Sequence, residues 1–424
     1  MNRWWLVVAA GLGVLVAQLD ATAVNVALPV IERETRTGPG LSTWVVLGYV
    51  LPLVALSLPV GRWLDRVGQK PALVLSVTGF AAASAGVGLA PAIGWLIAAR
   101  VVQGAFGAAL FALLPVITAT AVRQDFRGRA MSLVMTLGPL GAVLGPPLGG
   151  LLVDTIGWPW IFYLNLPVSA LIVAIAPIQL PSGRLVAPDR GWLAEIGVLT
   201  GATTALLLVP VLPWTGLLAI PFLLSWRRMP ASAPVRELFR TPGVASAHAA
   251  LLLEIAAIVI VQFIAPFFLQ GAGISAGASG LAVFAFPAAV LVVGPVAGVF
   301  ADRLGARTVL VFAAAILTFG LVLTVFAAPS AVDIAWRLVI AGVGAGLFGG
   351  PVMTLAMDAA PARLLGLTGA STSTFRQIGL ALGPSVASAA WSSTGYSVAG
   401  IRIAFGCAVF LAALSLVALS VRAG

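Results

Sequence analysis

The sequence predicts an all-α polytopic membrane protein, and three observations carry that prediction. Its residues are 61% hydrophobic and only 8% charged, with a mean hydropathy of +1.11; a soluble chain carries about 25% charge. Apolar runs long enough to cross a ~30 Å hydrocarbon core recur along the chain, separated by short polar turns. The cations are also sorted by side. With a cytoplasmic N-terminus, seventeen of the 23 Lys and Arg fall on the cytoplasmic face, the bias that sets orientation. They occupy Arg3, the 62–70 and 123–129 loops, Arg184, Arg190, the 227–240 loop, Arg303, Arg307, Arg363 and Arg422. Opposite loops hold Arg33 and Arg36, offset by Glu32 and Glu34. The net charge of +10 thus belongs to the bilayer and not to a nucleic-acid partner.

Six spans are expected at about 4–31, 41–61, 71–90, 92–121, 130–153 and 160–180, and six more at about 244–270, 277–300, 307–328, 333–357, 364–391 and 400–421. The MNRWW start has one cation and no small-residue cleavage site, so it reads as an uncleaved first span. Between the two sets, 192–226 is one apolar stretch broken by Pro210 and Pro213. It is long enough for two short spans. Arg184 and Arg190 before it, and Arg227, Arg228, Arg236 and Arg240 after it, all belong in the cytoplasm. An even number of crossings must separate them. The expectation is fourteen membrane helices with both termini cytoplasmic; twelve with an interfacial hairpin is the alternative. The domains are an N-terminal six-helix bundle at 1–181, linkers at 182–242 carrying the 192–226 hairpin, and a C-terminal six-helix bundle at 243–424.

An internal repeat supports two equivalent bundles. PVGRWLDRVGQK is echoed by PVAGVFADRLGAR, with Asp65 matching Asp302 at an offset of 237 residues. Arg100 matches Arg337 at the same offset, and Gly145-Pro146 matches Gly383-Pro384 at 238. The halves read as parallel duplicates of six spans.

Composition also excludes chemistry. One cysteine, Cys407, and one histidine, His248, rule out disulfide frameworks, zinc sites and His-based triads. No P-loop or sizeable soluble domain is present, so neither an enzyme nor a resident cofactor is expected, nor direct ATP drive. Lys70 is the only lysine against 22 arginines, a bias that fits a GC-rich bacterial genome and hence the bacterial inner membrane.

Ionisable residues inside spans are functional candidates, because an uncompensated charge at that depth costs roughly 3 kcal/mol or more. Asp20 lies ~13 Å from the outer end of span one and Arg100 ~10 Å from that of span four, at ~1.5 Å per residue. Glu254 lies ~15 Å and Arg376 ~20 Å in from the cytoplasmic ends of their spans by the same rise. His248 reads as a polar residue near a span end. In span five, small residues at 138, 141, 145, 149 and 150 lie near one face, suited to close helix packing, and Pro139, Pro146 and Pro147 remove backbone donors.

Several motifs give the chain a specific likeness. Gly61-Arg-Trp-Leu-Asp65-Arg66-Val-Gly68-Gln-Lys70, Arg100-Val-Val-Gln103-Gly104, Gly141-Ala-Val-Leu-Gly145-Pro146-Pro-Leu-Gly149-Gly150, the run Leu19-Asp20 to Pro29, and WPWIFYLNLP at 158–167 are the residues concerned. Together they resemble the major facilitator superfamily, and specifically its fourteen-span drug/proton antiporter branch. Two positions depart from the pattern: Pro71 replaces a usual basic residue, and Ser169 a usual glycine.

The resemblance implies two six-helix bundles plus a two-helix insertion, working by alternating access. It implies that spans one and four line the central cavity, so that Asp20 and Arg100 can meet, with protons as the coupling ion; Glu254, as an acid inside a span, is expected to be a second proton or cation site. It puts Asn25, Gln103, Arg376 and Gln377 at the substrate cavity. It makes Gly61, Asp65, Arg66, Gly68 and Lys70, with Asp302 and Arg303 in the repeat, a cytoplasmic gate, in which Asp65 would face the helix starting near Arg363. It makes Gly141, Gly145, Pro146, Gly149 and Gly150 an antiporter helix. Read bare of the resemblance, Asp65 tightens a basic turn, Asp20–Arg100 is a structural ion pair, and Glu254 pairs with Arg376. The function implied is proton-coupled efflux of hydrophobic small molecules, cations among the candidates, by a protein that works as a monomer. The alternative is an importer or facilitator of the same fold, against which the fifth-span motif speaks.

Overall fold

The computed structural model describes residues 3–64, 66–123, 126–180, 183–187, 190–208, 215–229, 232–361 and 364–420. Among these residues there are sixteen α-helices. The first five are α1 (Trp4–Thr35), α2 (Pro39–Leu64), α3 (Gln69–Gly88), α4 (Ile93–Ala121) and α5 (Arg127–Thr155). The sixth expected span is a short α6 (Pro159–Tyr163) followed, after Leu164, by α7 (Asn165–Gln179). The 192–226 stretch holds α8 (Arg190–Leu208) and α9 (Thr215–Arg228). After the linker helix α10 (Ala233–Phe239) come α11 (Val244–Gly271), α12 (Ala276–Leu304), α13 (Ala306–Val325), α14 (Ala331–Ala359), α15 (Leu365–Ser392) and α16 (Val398–Ser420).

Ten of these helices are long and apolar enough to cross a membrane: α1 to α5, α11 to α14, and α16. α15 has the length, but its Ser- and Thr-rich first half and Arg376-Gln377 dilute its hydropathy. The chain divides into two compact units, Met1–Thr204 and Ala205–Gly424, with the boundary inside the 192–226 stretch.

The first unit has its apolar core between α1, α3, α4, α5 and α7, around Leu6, Val7, Leu73, Phe80, Leu114 and Val134. Its tightest crossing is between α1 and α5. A Cβ on Gly145 would land on Thr22 Oγ1, one on Gly141 on the Leu15 carbonyl oxygen, and one on Gly149 would lie 2.8 Å from Ala23 Cβ. The glycine face of span five thus seats α5 directly on the helix that carries Asp20. Side chains there would force the two backbones apart. The second unit repeats the crossing with α11 and α15: a Cβ on Gly383 would lie 2.7 Å from Val259 Cβ, and one on Gly379 2.9 Å from Ile255 Cβ.

α8 is fastened to the first unit. Trp192 Nε1 donates to the Pro59 carbonyl of α2 at 2.6 Å. The linker before it does the same: Trp63 Nε1 donates to Val186 O at 2.8 Å, and Gly68 N to Arg184 O at 3.1 Å. In the second unit, His248 is buried against Phe239 of α10 and Phe375 of α15, at ring separations of 5.0 and 5.1 Å. Its Nε2 meets Ser371 Oγ at 2.8 Å. That contact holds α10 against α11 and α15.

Replacing Gly145 by Val should lower the melting temperature of the detergent-purified protein by several degrees, since overpacking a crossing typically costs 1–3 kcal/mol. Gly197→Val, where a Cβ meets nothing within 4 Å, is the control. Equal stability of the two variants in a thermal-shift assay would contradict the packing account.

Candidate functional site

The polar residues of the first unit converge on one buried cluster. α1 brings Asp20, α4 brings Arg100 and Gln103 one helical turn apart, α3 brings Ser84, and α7 opens with Asn165. Asp20, Arg100, Gln103 and Ser84 are each 0% exposed, and Asn165 is 1%. Arg100 Nη1 donates to Asp20 Oδ2 at 2.8 Å and to Gln103 Oε1 at 2.7 Å, while Arg100 Nε donates to the Val45 carbonyl at 3.0 Å. Gln103 Nε2 donates to Ser84 Oγ at 2.8 Å and, more weakly, to Asp20 Oδ2 at 3.4 Å. Asn165 Nδ2 donates to the same Ser84 oxygen at 3.1 Å.

Aromatic rings enclose the guanidinium. Its central carbon lies 4.3 Å from the Tyr49 ring centroid and 5.5 Å from that of Phe162, within reach of the cation–π attraction. Tyr49 can approach because α4 has Gly104 where α2 crosses it; a Cβ there would land on the Tyr49 carbonyl oxygen. The Arg-x-x-Gln-Gly motif is thereby explained residue by residue. Two side chains join the cluster, and the glycine admits the ring that covers it.

WPWIFYLNLP is explained in the same way. Trp158 Nε1 donates to Glu34 Oε2 at 2.7 Å, which ties α6 to the end of α1. Phe162 faces the guanidinium, and Asn165, past the break at Leu164, reaches Ser84. Tyr49, Ser84, Phe162 and the Val45 carbonyl carry no intramembrane charge, so the sequence alone did not single them out.

The arrangement has a definite chemical capacity. Asp20 Oδ2 receives Arg100, while Oδ1 has no hydrogen-bond partner. A proton can therefore be taken on Oδ1 with Arg100 still at Oδ2. Asn165 Oδ1, Tyr49 OH and Arg100 Nη2 are likewise buried and unpartnered, so the cluster has donor and acceptor capacity in reserve.

The other candidate residues lie elsewhere. Asn25, on α1, is buried with its Oδ1 unpartnered. Gln103, expected to face cargo, is committed to the ion pair. In the second unit Glu254 is 1% exposed and its Oε2 has no partner, whereas Arg376, next to the half-buried Gln377, is exposed. No ion pair joins Glu254 to Arg376 among the described residues. Arg337, the repeat counterpart of Arg100, pairs with Asp333 four residues earlier at 3.0 Å. Of the gating set, Gly61 lies in α2, Arg66 and Gly68 in the following turn, and Lys70 at the start of α3. Asp302 and Arg303 are exposed at the end of α12. Asp65 and Arg363 lie outside the described residues. Pro146 and Gly150 are buried within α5 beside the three glycines that meet α1.

Comparison with known proteins agrees with this architecture. The family described as Major Facilitator Superfamily matches residues 10–384. "Multidrug resistance protein Stp" of Mycobacterium tuberculosis is 31% identical over 93% of this chain and 78% of that protein. "Methylenomycin A resistance protein" of Streptomyces coelicolor is 31% identical over 96% and 90%, and "Tetracenomycin C resistance and export protein" of Streptomyces glaucescens 28% over 90% and 75%. Among solved structures, a D-xylose-proton symporter superposes with a TM-score of 0.73 at 13% identity, over 100% of this chain and 98% of the other. A bacterial homologue of the lysosomal transporter Spinster gives 0.66 at 18% identity, over 99% and 96%; at such identities the likeness is one of fold. With a family match over nearly its whole length, this chain belongs to the major facilitator superfamily, the multi-pass membrane transporters.

Proposed function

We propose that the protein is a proton-coupled efflux antiporter that exports hydrophobic small molecules, cations among them, across the bacterial inner membrane by alternating access. The observation that carries this reading is the sealed Asp20–Arg100 pair, 2.8 Å apart with essentially no exposed surface. Relatives whose names refer to drug resistance or export support the direction and the class of cargo. In this reading α6 and α7 form one span and α8 and α9 two more, giving fourteen, with both termini in the cytoplasm. The N-terminal bundle covers 1–181, the linkers and hairpin 182–242, and the C-terminal bundle 243–424. The protein works as a monomer, without cofactor, metal or nucleic acid.

Coupling follows from charge. With Asp20 ionised, the pair is neutral as a unit; a proton on Asp20 leaves it at +1. A monovalent cation ~8 Å away would then meet a repulsion of about 2 kcal/mol at an effective dielectric constant of ~20. That is roughly a 30-fold loss of affinity. Proton and cationic cargo thus exclude one another without sharing an atom. Glu254, buried without a partner for Oε2, acts as the second acid, and Asn25, Arg376 and Gln377 meet cargo. Gly61, Asp65, Arg66, Gly68 and Lys70, with Asp302 and Arg303, form the cytoplasmic gate. The Gly141 to Gly150 face of α5, with Gly145, Pro146 and Gly149, keeps α1 in place against ion leak.

Two outcomes are expected in proteoliposomes with an imposed pH gradient. Asp20→Asn should abolish uphill export of a fluorescent lipophilic cation, by roughly 100-fold or more if proton transfer is lost, and, carrying the charge of the protonated pair at every pH, should weaken equilibrium binding of that cation roughly 30-fold; undiminished uphill transport by this variant ends the proposal. Glu254→Gln should keep coupled transport but lower the number of protons moved per cargo molecule, read from the membrane voltage that nulls flux. An unchanged ratio removes Glu254 from the coupling scheme.

A further inference from the structure

The Ser84 hydroxyl has a full set of bonds. It donates its one proton to the Phe80 carbonyl at 2.8 Å, and its oxygen accepts from Gln103 Nε2 at 2.8 Å and Asn165 Nδ2 at 3.1 Å. A hydroxyl has one donor and two acceptor sites, and all three are used. With the proton on Phe80, only an amide nitrogen can face Ser84 from the Gln103 side. The Gln103 oxygen must then point the other way, to Arg100 Nη1 at 2.7 Å. The same nitrogen has a second hydrogen, which it gives to Asp20 Oδ2 at 2.8 Å, so the amide oxygen and the carboxylate share one guanidinium nitrogen.

We propose that Ser84 is a positioning residue for the acid–base pair: by fixing the Gln103 amide, it gives Arg100 an uncharged partner that keeps the guanidinium in place when Asp20 is protonated. The proposal rests on the proton-coupling reading above for its role in transport, but not for its effect on Asp20. The titratable groups facing Asp20 are Arg100 from α4 and Tyr49 from α2; α5, α6 and α7 bring no charged group to it among the described residues.

The sign of the effect follows from the amide dipole: the Gln103 oxygen, partly negative and 2.7 Å from Arg100 Nη1, offsets part of the guanidinium's field at Asp20. Without Ser84 the Gln103 amide can turn, and the guanidinium loses the partial negative charge that tempers its field at Asp20. A carboxylate held more tightly by a guanidinium gives up its charge less readily. The Gln103 N–H to Asp20 is lost as well, but at 3.4 Å it is the weaker contact.

The test is an infrared titration of the purified protein. The protonated-carboxyl band of Asp20 is identified by its disappearance in Asp20→Asn. Ser84→Ala should move its midpoint to lower pH by about half a unit or more, a threefold change in proton affinity. Ser84→Thr, which keeps the hydroxyl, should restore it. Gln103→Leu should shift it in the same direction and serves if Ser84→Ala fails to fold. A native midpoint in both Ser84→Ala and Gln103→Leu overturns the inference. Proton-driven transport is measured on the same preparations. If the native protein fails to couple while the band still shifts, the transport reading falls and the positioning role stands.

Discussion

A carboxylate and a guanidinium 2.8 Å apart, both out of contact with solvent, set the terms for the whole N-terminal unit. Desolvating such a pair costs several kcal/mol per ion, recovered only with good geometry and further hydrogen bonds. The surrounding residues supply these without adding a third charge. Val45 offers a backbone carbonyl, Gln103 an amide oxygen, and Tyr49 and Phe162 their ring faces. These contacts require α1, α2 and α4 to lie within a few ångströms of one another. That need explains the glycines better than any appeal to flexibility. Gly104 admits Tyr49, and Gly141, Gly145 and Gly149 let α5 close on α1. The small-residue motif and the charged motif are two parts of one requirement.

The repeat makes the selectivity of this arrangement visible. The crossings are duplicated: Gly104 against the Tyr49 carbonyl has its counterpart in Gly342, one residue past the 237 offset, against the Phe286 carbonyl, and α1 on α5 in α11 on α15. The cluster is not. At the 237-residue offset, Asp20 becomes Ala257, Gln103 becomes Ile340 and Ser84 becomes Leu321. Arg337 keeps the guanidinium but turns to Asp333 on its own helix and to the Leu323 carbonyl. Glu254 aligns with Ala17, a core position of the first unit. Duplication preserved the backbone contacts that hold helices together, while the buried acid–base cluster of the first copy has no equivalent at the matching positions of the second, whose buried polar residues, Glu254 and His248 among them, lie elsewhere.

What the sequence made legible follows the same division. Apolar run length located the ten helices long and apolar enough to cross a membrane, because crossing a bilayer imposes a length that hydropathy reports directly. Asp20 and Arg100 stood out because charge inside a span is rare, and counting residues put them at matching depth. Ser84 did not stand out, and the reason is physical. A serine in a membrane helix can satisfy its own hydroxyl on the carbonyl four residues back, as Ser76 does on Ala72. Ser84 makes the same bond to Phe80 and accepts two more. From sequence the two residues are equivalent, and only the neighbouring helices distinguish them. Asn165 was visible within its motif, but its purpose depends on the break at Leu164, which apolar run length does not register. α15 is the marginal case: the 364–391 run has the length of a span, but its Ser and Thr residues and Arg376-Gln377 keep it outside the ten long, apolar helices.

The inserted stretch is also more than a spacer between repeats. Its approach segment and first helix make three hydrogen bonds to the region around the basic turn: Gly68 N to Arg184 O, Trp63 Nε1 to Val186 O and Trp192 Nε1 to Pro59 O. A glycine is required at the closest point, since a Cβ on Gly68 would lie 2.5 Å from the Gly183 Cα. Each bond contributes about 1 kcal/mol net, and together they make α8 a continuation of the first unit. Any displacement of the 63–68 turn must therefore break these bonds or carry α8 with it. At about 1 kcal/mol each, these bonds favour the turn and α8 keeping their mutual arrangement, which suits a rigid-body mechanism.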